Sequence, residues 1–399
     1  MHIIILGGYS SAHQKLKERL ACQLTLITKT SALKEKYRQR YDHILTLKEV
    51  DEDLWVALGL VMGRQYPTKC VVTFDDDYHR MAQDIAKGLD IPYLYGEKTL
   101  DLVTSKPKLR QFLYAAGYSQ VESQRVQTLA DISTFFATTG VKRAIVKPVH
   151  GSGSQNIYEL TSASDLNFLK TLLAQDAYMI ESFITGQEYS VESYSEAGEH
   201  YIYGITEKHK NEHFVEIGHV VPAPLAAKKA AQIKAYVSQV LTHLGVTDGP
   251  MHTEVMVTPT GLELVETQAR VGGDMINELH SEVLGVDLLG DIMEGMVTKQ
   301  KAATFKAITE KTPRYYAAIA FGMSGSGRVK TIDVPSDLKR QPGYLGYRIW
   351  RQEQEIANEE NSSVGRISQA WAKAETPQEA WERAQKLLSA ITITYEPMT

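Results

Sequence analysis

The first hundred residues of the chain alternate short, β-branched apolar runs with amphipathic stretches. Residues 3–6, 24–28 and 71–74 form the apolar runs, and residues 11–20 and 79–89 have helical spacing. Strands that alternate with helices in this way are typical of βαβ units, whose strands pair in parallel. We therefore predict an α/β N-terminal region built on a parallel sheet.

Gly7 and Gly8 follow the first run, where a dinucleotide-binding loop would lie. The complete G-x-G-x-x-G fingerprint is missing, and no acidic residue clearly closes the second strand. The sequence therefore disfavours a dinucleotide site.

The composition of the 399-residue chain argues against several classes of protein. Lys and Arg number 43 against 48 Asp and Glu, a net charge of −5, which indicates no nucleic-acid or anionic-membrane surface. The apolar run 54–62 is far shorter than the roughly 20 residues of a membrane helix. Cys22 and Cys70, the only cysteines, are too few for a disulfide framework and lack the spacing of a zinc site. We expect a reduced, cytoplasmic protein without nucleic-acid or membrane partners.

Beyond residue 100 the pattern combines helices with antiparallel strands, an α+β arrangement. Helical spacing over residues 105–117 and 226–244 predicts two helices. Two β-rich runs within residues 144–160 flank a glycine-rich tip, which predicts a hairpin. The last hundred residues, with a helix over 377–391, indicate a unit that closes the fold.

A second predicted hairpin carries a pair of carboxylates. Two β-rich runs are separated by the turn residues 259–261, and pairing Thr258 with Leu262 places Glu254 directly opposite Glu266. Like charges that face each other destabilise a sheet unless a cation lies between them. The alternative is a solvated acidic hairpin whose register slips by one residue, which would put the carboxylates on opposite faces.

Gln268 and Arg270 follow Glu266 at two and four residues, on the same face if the strand continues. Two carboxylates and an amide oxygen form an oxygen-only set, which suits Mg²⁺ better than Zn²⁺. The sequence therefore predicts a magnesium site on this hairpin.

The glycine-rich tip 151–154 can offer consecutive backbone N–H groups to phosphate oxygens. Lys147 lies on the strand that leads into the tip and can direct its ammonium toward the same ligand. The alternatives are an ordinary turn and a solvent-facing lysine.

The order of these features resembles the ATP-grasp superfamily from about residue 70 to 295. The segments that carry the resemblance are, in chain order, Lys106, residues 144–148, 151–154 and 181–188, Glu254, and residues 266–273. The resemblance implies an ATP-grasp fold in three parts. These are a Rossmann-like pre-ATP-grasp domain over residues 1–100, a central lid-bearing subdomain over 101–185, and a C-terminal subdomain with its closing α+β unit over 186–399.

By this resemblance the nucleotide is ATP. Two lysines are expected on its phosphates, and the second of them, Lys147, is also expected to act in catalysis. A glycine–serine tip is expected to be a mobile lid over the β- and γ-phosphates, a backbone segment to read the adenine edge, and a glutamate to hold the ribose hydroxyls. The expected nucleotide-binding residues are Lys106, Lys147, Gly151, Ser152, Gly153, Ser154, Glu181, Phe183, Ile184 and Glu188.

The resemblance also implies a metal site and two further catalytic residues. Glu254 and Glu266 are expected to bridge Mg²⁺, with Mn²⁺ as the alternative ion, and Gln268 stands where the family usually has an Asn ligand. Arg270 is expected to neutralise an acyl phosphate or tetrahedral intermediate. His219 is expected near the carboxylate or the transferring phosphoryl group.

Residues 214–225 and 249–254 resemble the carboxylate–amine ligase branch that includes bacterial L-amino acid ligases of the bacilysin-synthetase type. This implies ATP-dependent amide or peptide bond formation through an acyl phosphate. The expected substrates are two amino acids, or an amino acid and a small carboxylate, and the expected assembly is a homodimer. Two alternatives stay open: a biotin-carboxylase-like or purine-pathway ligase, and a nucleotide-binding protein without catalysis.

Overall fold

Four β-sheets and the helices packed on them form the part of the chain that a computed structural model describes, residues 1–8, 10–151, 153, 155–162, 165–357 and 362–397. Short 3₁₀ turns lie at Thr30–Ala32, Glu35–Arg40, Asp76–Tyr78, Leu338–Arg340 and Ser363–Gly365. None of the described helices is long and apolar enough to cross a membrane.

The N-terminal sheet has the strand order β3-β2-β1-β4, and all of its pairings are parallel. Alternate residues of β1 pack into different hydrophobic clusters, Ile3 and Ile5 into one and Ile4 and Leu6 into another, because both faces of the strand are covered. The predicted parallel βαβ region is confirmed. Its elements are β1 (His2–Leu6), α1 (Ser10–Arg19), β2 (Gln23–Lys29), β3 (His43–Leu47), α2 (Glu52–Gln65), β4 (Thr68–Thr73) and α3 (His79–Gly88).

The second sheet has the order β5-β8-β6-β7. The predicted helix over 105–117 is confirmed as α5, and Gly117 follows it at a positive φ of 75°. The predicted hairpin is confirmed as β6 and β7, which pair from Arg143 with Thr161 to Val146 with Tyr158. The elements are α4 (Glu97–Val103), α5 (Lys106–Ala115), β5 (Ser123–Val126), α6 (Leu129–Thr139), β6 (Arg143–Pro148), β7 (Tyr158–Thr161), α7 (Leu169–Gln175) and β8 (Tyr178–Ser182).

The remaining strands form an eight-stranded sheet, β13-β12-β9-β10-β11-β14-β18-β16, and a three-stranded sheet, β17-β15-β19. The predicted helices over 226–244 and 377–391 are confirmed as α8 and α12. The elements are β9 (Gln187–Glu196), β10 (Glu199–Lys210), β11 (Glu216–Val221), α8 (Ala227–Leu244), β12 (Gly249–Val257), β13 (Leu262–Gln268), α9 (Ile276–Leu284), α10 (Leu288–Thr298), α11 (Ala302–Thr309), β14 (Tyr316–Met323), β15 (Gly327–Asp333), β16 (Tyr344–Ile349), β17 (Ile356–Ala357), β18 (Arg366–Ala374), α12 (Pro377–Ala390) and β19 (Thr392–Glu396).

The register of the β12–β13 hairpin combines one wrong prediction with one confirmed prediction. Val257, not Thr258, pairs with Leu262, so the turn is one residue longer than predicted. A bulge then leaves Val265 without a partner in the pairing, and Glu254 lies directly opposite Glu266 as predicted. The one-residue slip that would separate the carboxylates does not occur.

The mixture of a parallel N-terminal sheet with antiparallel sheets confirms the predicted α/β and α+β class. The division into three units at residues 100 and 185 stays a prediction.

Candidate active site

Two adjoining cavities, of about 530 and 570 Å³, lie where the second sheet and the β12–β13 hairpin face the end of β4. Both are lined by the sequence-predicted residues Lys106, Lys147, Glu266, Gln268 and Arg270. The first cavity is also lined by residues 75–77 and by Arg110 and Glu181. The second is also lined by Lys208, Lys210, Glu216, Glu254, Asp274 and Arg366.

Lys147 is buried at the wall of both cavities and is held by a carboxylate. Its Nζ lies 2.5 Å from Oε1 of Glu181, and Nε of Arg110 donates to Oε2 of Glu181 at 3.1 Å. The guanidinium of Arg110 also donates to the carbonyls of Leu264 and Val265, next to the hairpin bulge. Burial lowers the pKa of Lys147, against the charge of Glu181. The pair fixes the ammonium between the second sheet and β13.

The glycine-rich tip is bound from two sides. Nζ of Lys106, at the start of α5, donates to the carbonyl of Gly151 at 2.7 Å. The backbone N–H of Ser363 donates to the carbonyl of Gly153 at 3.1 Å. Ser152 and Ser154 lie outside the described residues, so their predicted role as part of the lid stays a prediction.

Gly153→Ala is expected to weaken ATP binding. Gly153 has a φ of 72°, and a Cβ there would lie 2.2 Å from Oγ of Ser363. The left-handed conformation costs a residue with a Cβ about 1–2 kcal/mol. We expect the free variant to leave this conformation and to have to regain it when the tip closes over ATP, a cost that corresponds to about tenfold in KM for ATP. Gly198→Ala is the control, because Gly198 has a φ of 81° with no atom within 4 Å of its Cβ position. Equal KM values for the two variants would contradict a role of this tip in ATP binding.

Glu254 and Glu266 are adjacent carboxylates with opposite pKa shifts. Burial, reinforced by the charge of Glu254, raises the pKa of Glu266. Burial alone would raise the pKa of Glu254 as well, but the charges of Lys208 and His252 outweigh it and hold that pKa well below its usual value. Glu266 is therefore the member of the pair whose charge is poorly balanced.

Gln268 lies beside Glu266, and its Nε2 donates to Oε1 of that residue at 2.8 Å. The pair and Gln268 thus form an oxygen-rich group of the kind that hard divalent cations prefer. A cation between the two carboxylates would remove the repulsion that raises the pKa of Glu266. On this ground the residues present fit Mg²⁺.

A buried lysine, Lys208, lies against three carboxylates from three other strands of the same sheet, and we call this group the Lys208 cluster. Nζ of Lys208 lies 2.5 Å from Oε1 of Glu216, 3.3 Å from Oε1 of Glu188, and in contact with Oε1 of Glu254. Burial alone would lower the pKa of Lys208, but the carboxylates, Glu216 first, raise it well above its usual value. Lys208 therefore keeps its positive charge beside Glu254.

Arg270 lies beyond the end of β13, which stops at Gln268, so it does not continue the strand as the predicted spacing required. It still lines both cavities, and its Nε donates to Oδ2 of Asp76 at 2.9 Å. Asp76 follows the end of β4 and joins the N-terminal sheet to the hairpin.

His219 is completely buried and lies behind the wall of the second cavity. Its Nε2 is 3.5 Å from both Oε2 of Glu216 and Oδ2 of Asp274. Nη1 of Arg366 donates to Oδ2 of Asp274 at 2.7 Å. Burial alone would raise the pKa of Asp274, but His219 first and then the guanidinium of Arg366 hold that pKa well below its usual value. His219 thus contacts the acidic residues of the wall, and its predicted catalytic role stays a prediction.

The residues predicted for the adenosine half of ATP lie differently from the phosphate residues. The described residues that line the two cavities include Glu181 but not Phe183, Ile184 or Glu188. The N–H of Phe183 donates to the carbonyl of Arg143, and both carboxylate oxygens of Glu188 contact lysines, Lys208 and Lys210. Their predicted contacts with adenine and ribose stay predictions.

Sequence reasoning missed several charged residues of this site. Arg110 stands four residues after Lys106 on α5, so both lie on one face of the helix. This spacing was the sequence signal that could have identified Arg110 as a residue of the site. Lys208 and Lys210 alternate along β10, as side chains on one face of a strand do. The pairing of Arg270 with Asp76 gave no local signal, because 194 residues separate them.

Comparisons with known proteins identify the sequence family of one segment of the chain and a distant relative. Residues 141–278 match the sequence family described as the ATP-grasp domain. An uncharacterised protein of Sinorhizobium fredii is 25% identical over 292 residues, which cover 70% of this chain and 60% of that protein. The chain thus spans about 60% of the length of this curated relative.

Solved structures of low sequence identity share the fold. L-amino acid ligase from Bacillus licheniformis has a TM-score of 0.86 at 19% identity, over 99% of this chain and 98% of that chain. Phosphoribosylglycinamide synthetase from Anaerococcus prevotii has a TM-score of 0.74 at 16% identity, over 99% of each chain. The biotin carboxylase domain of Hydrogenobacter thermophilus 2-oxoglutarate carboxylase, in complex with MgADP and bicarbonate, has a TM-score of 0.71 at 13% identity, over 98% of this chain and 90% of that chain. Residues 141–278 therefore contain an ATP-grasp domain, and the chain has the ATP-grasp fold.

Proposed function

We propose that this protein is an ATP-dependent carboxylate–amine ligase that forms an amide or peptide bond through an acyl phosphate. The observation that carries the proposal is the arrangement of Lys106, Lys147 and Arg270 around the carboxylate pair Glu254 and Glu266 at two joined cavities. Cations for phosphates and carboxylates for a metal, in one place, are what phosphoryl transfer to a carboxylate requires.

In this proposal a substrate carboxylate oxygen attacks the γ-phosphorus of ATP, and the bond from that phosphorus to the ADP oxygen breaks. The amine then attacks the acyl carbon, loses a proton, and the carbon–oxygen bond to phosphate breaks. Glu254, Glu266 and Gln268 would hold Mg²⁺, which would neutralise phosphate charge when bound. Lys106 and Lys147 bind phosphate oxygens, and Arg270 stabilises the negative charge of the tetrahedral adduct.

The proposed substrates are two amino acids, or an amino acid and a small carboxylate. The lining of the second cavity favours polar substrates. It includes few apolar residues and carries the charged residues Lys210, Glu216, Asp274 and Arg366. The likeness to a structure named L-amino acid ligase supports the same substrate class. Assembly as a homodimer stays a prediction.

The first experiment mixes the purified protein with Mg²⁺ and ATP and adds the standard amino acids singly and in pairs. Released phosphate and the mass of any condensed product are measured together. We expect phosphate release that depends on amino acids, with a new dipeptide mass. Bicarbonate alone, tested in parallel, reports on the biotin-carboxylase-like alternative.

Two results would contradict the proposal. Phosphate release with bicarbonate and none with amino acids would favour the carboxylase-like ligase. ATP binding without phosphate release in any mixture, with small carboxylates included beside the amino acids, would indicate a nucleotide-binding protein without catalysis.

A further inference from the structure

A buried ion pair, Glu192 and His252, lies beneath the carboxylates of the proposed metal site. The two residues are direct cross-strand partners on β9 and β12, so their side chains share one face. Nδ1 of His252 lies 2.7 Å from Oε1 of Glu192. Glu192 is fully buried, and His252 is 5% exposed where it lines the second cavity.

The pair reaches the metal site through His252. Nε2 of His252 lies 3.4 Å from Oε1 of Glu254, the same oxygen that Lys208 contacts. Both contacts hold Glu254 by one oxygen and leave Oε2 for another ligand. Glu192 thereby orients the imidazole, and the imidazole orients the carboxylate.

The pair also reaches the loop that follows β13. Oε2 of Glu192 accepts a hydrogen bond from the backbone N–H of Gly272 at 3.2 Å. A Cβ at Gly272 would lie 2.8 Å from both Oε2 of Glu192 and Nδ1 of His252, so a larger residue does not fit against the pair. Gly272 stands two residues after Arg270, and the contact therefore sets where this arginine loop sits.

We infer that Glu192 and His252 are positioning residues that hold Glu254 for metal binding and the Arg270 loop for its proposed role at the tetrahedral adduct. Neither residue touches the reacting groups in this assignment. The inference rests on the proposed function in two respects, namely that Glu254 binds the divalent cation and that Arg270 acts at the adduct. Partners that orient metal ligands change metal affinity by about 10–100-fold when they are removed.

The test measures Mn²⁺ binding in the presence of ADP by the loss of the free Mn²⁺ electron paramagnetic resonance signal. Glu192→Gln keeps the size of the side chain and removes the charge that holds His252. We expect Mn²⁺ affinity to fall about 10–100-fold, with kcat reduced and ADP affinity without metal unchanged. Gly272→Ala, which displaces the pair from the loop side, is expected to act in the same direction and serves if Glu192→Gln does not fold.

Glu196→Gln is the matched control. Glu196 is a buried glutamate on the same strand, and it accepts the backbone N–H groups of Lys301 and Ala302, away from the metal site. It is expected to lower the melting temperature and to leave Mn²⁺ affinity at the wild-type value. Folded Glu192→Gln and Gly272→Ala variants with wild-type Mn²⁺ affinity would overturn the inference and leave the proposed function standing. Absence of Mn²⁺ binding by the wild-type protein would overturn the metal assignment of the proposed function, and the inference with it.

Discussion

Glu266→Gln is expected to lower Mg²⁺-dependent turnover by about 10²-fold or more and to raise the melting temperature of the metal-free protein. Turnover falls because a charged metal ligand is lost. The fold gains stability because burial and the charge of Glu254 raise the pKa of Glu266, so its ionised form destabilises the folded state. Phosphate release and thermal unfolding in a chelator check the two effects.

The pH dependence follows from the sign of that shift. A carboxyl with a raised folded-state pKa favours folding below its unfolded pKa, and this contribution is lost as the pH rises through the folded pKa. The stability gain of Glu266→Gln is therefore expected to vanish at acidic pH and to grow toward neutral pH. A melting temperature that falls below wild type at neutral pH would contradict the proposed repulsion.

Glu254→Gln separates the metal role from the electrostatic role. The pKa of Glu254 is held low by Lys208 and His252 despite burial, so its charge stabilises the fold. This variant is expected to lose turnover as Glu266→Gln does, but to melt at a lower temperature. Full turnover in either variant would show that the pair does not bind the metal.

The carboxylate pair shows how much of the site the sequence predicts. Strand alternation and turn composition are local properties, so the two β-runs and the facing of Glu254 and Glu266 follow from a short segment. The turn is longer than predicted, and the bulge at Val265 restores the register. The bulge lies where Arg110 binds the carbonyls of Leu264 and Val265, a contact that spans more than 150 residues of sequence.

The sequence does not predict which strands are neighbours in the sheet. The ion pairs that balance the charges of the site could therefore not be predicted either. The Lys208 cluster exists because β12, β9, β10 and β11 are adjacent in that order, although β12 follows β11 and a long helix in the chain. Local patterns predict each strand but not its neighbour. For the same reason Lys147, Glu181 and Glu188 were predicted singly as ligand contacts. Neither the ion pair between Lys147 and Glu181 nor the one between Glu188 and Lys208 was predicted.

Lys208→Met is expected to destabilise the folded protein by about 3–5 kcal/mol, the usual cost of breaking a buried ion pair. Lys208 is 3% exposed, and its removal leaves Glu188, Glu216 and Glu254 close together without their shared cation. Chemical denaturation measures the loss of unfolding free energy. Since the repulsion among the carboxylates drives it, we expect part of the loss to be recovered at low pH, where the carboxylates are protonated.

Lys210→Met is the matched control for this prediction. Lys210 lies two residues away on the same face of β10 and contacts one carboxylate, Oε2 of Glu188, at 2.6 Å. Its side chain is 26% exposed, so solvent already screens this ion pair. The expected cost of losing it is about 1 kcal/mol or less. A much larger loss of unfolding free energy for Lys208→Met than for Lys210→Met is expected only if Lys208, buried among three carboxylates, stabilises the fold. A loss of only about 1 kcal/mol or less for Lys208→Met would mean that solvent or bound cations replace its charge, and that the Lys208 cluster contributes no more to stability than a surface ion pair.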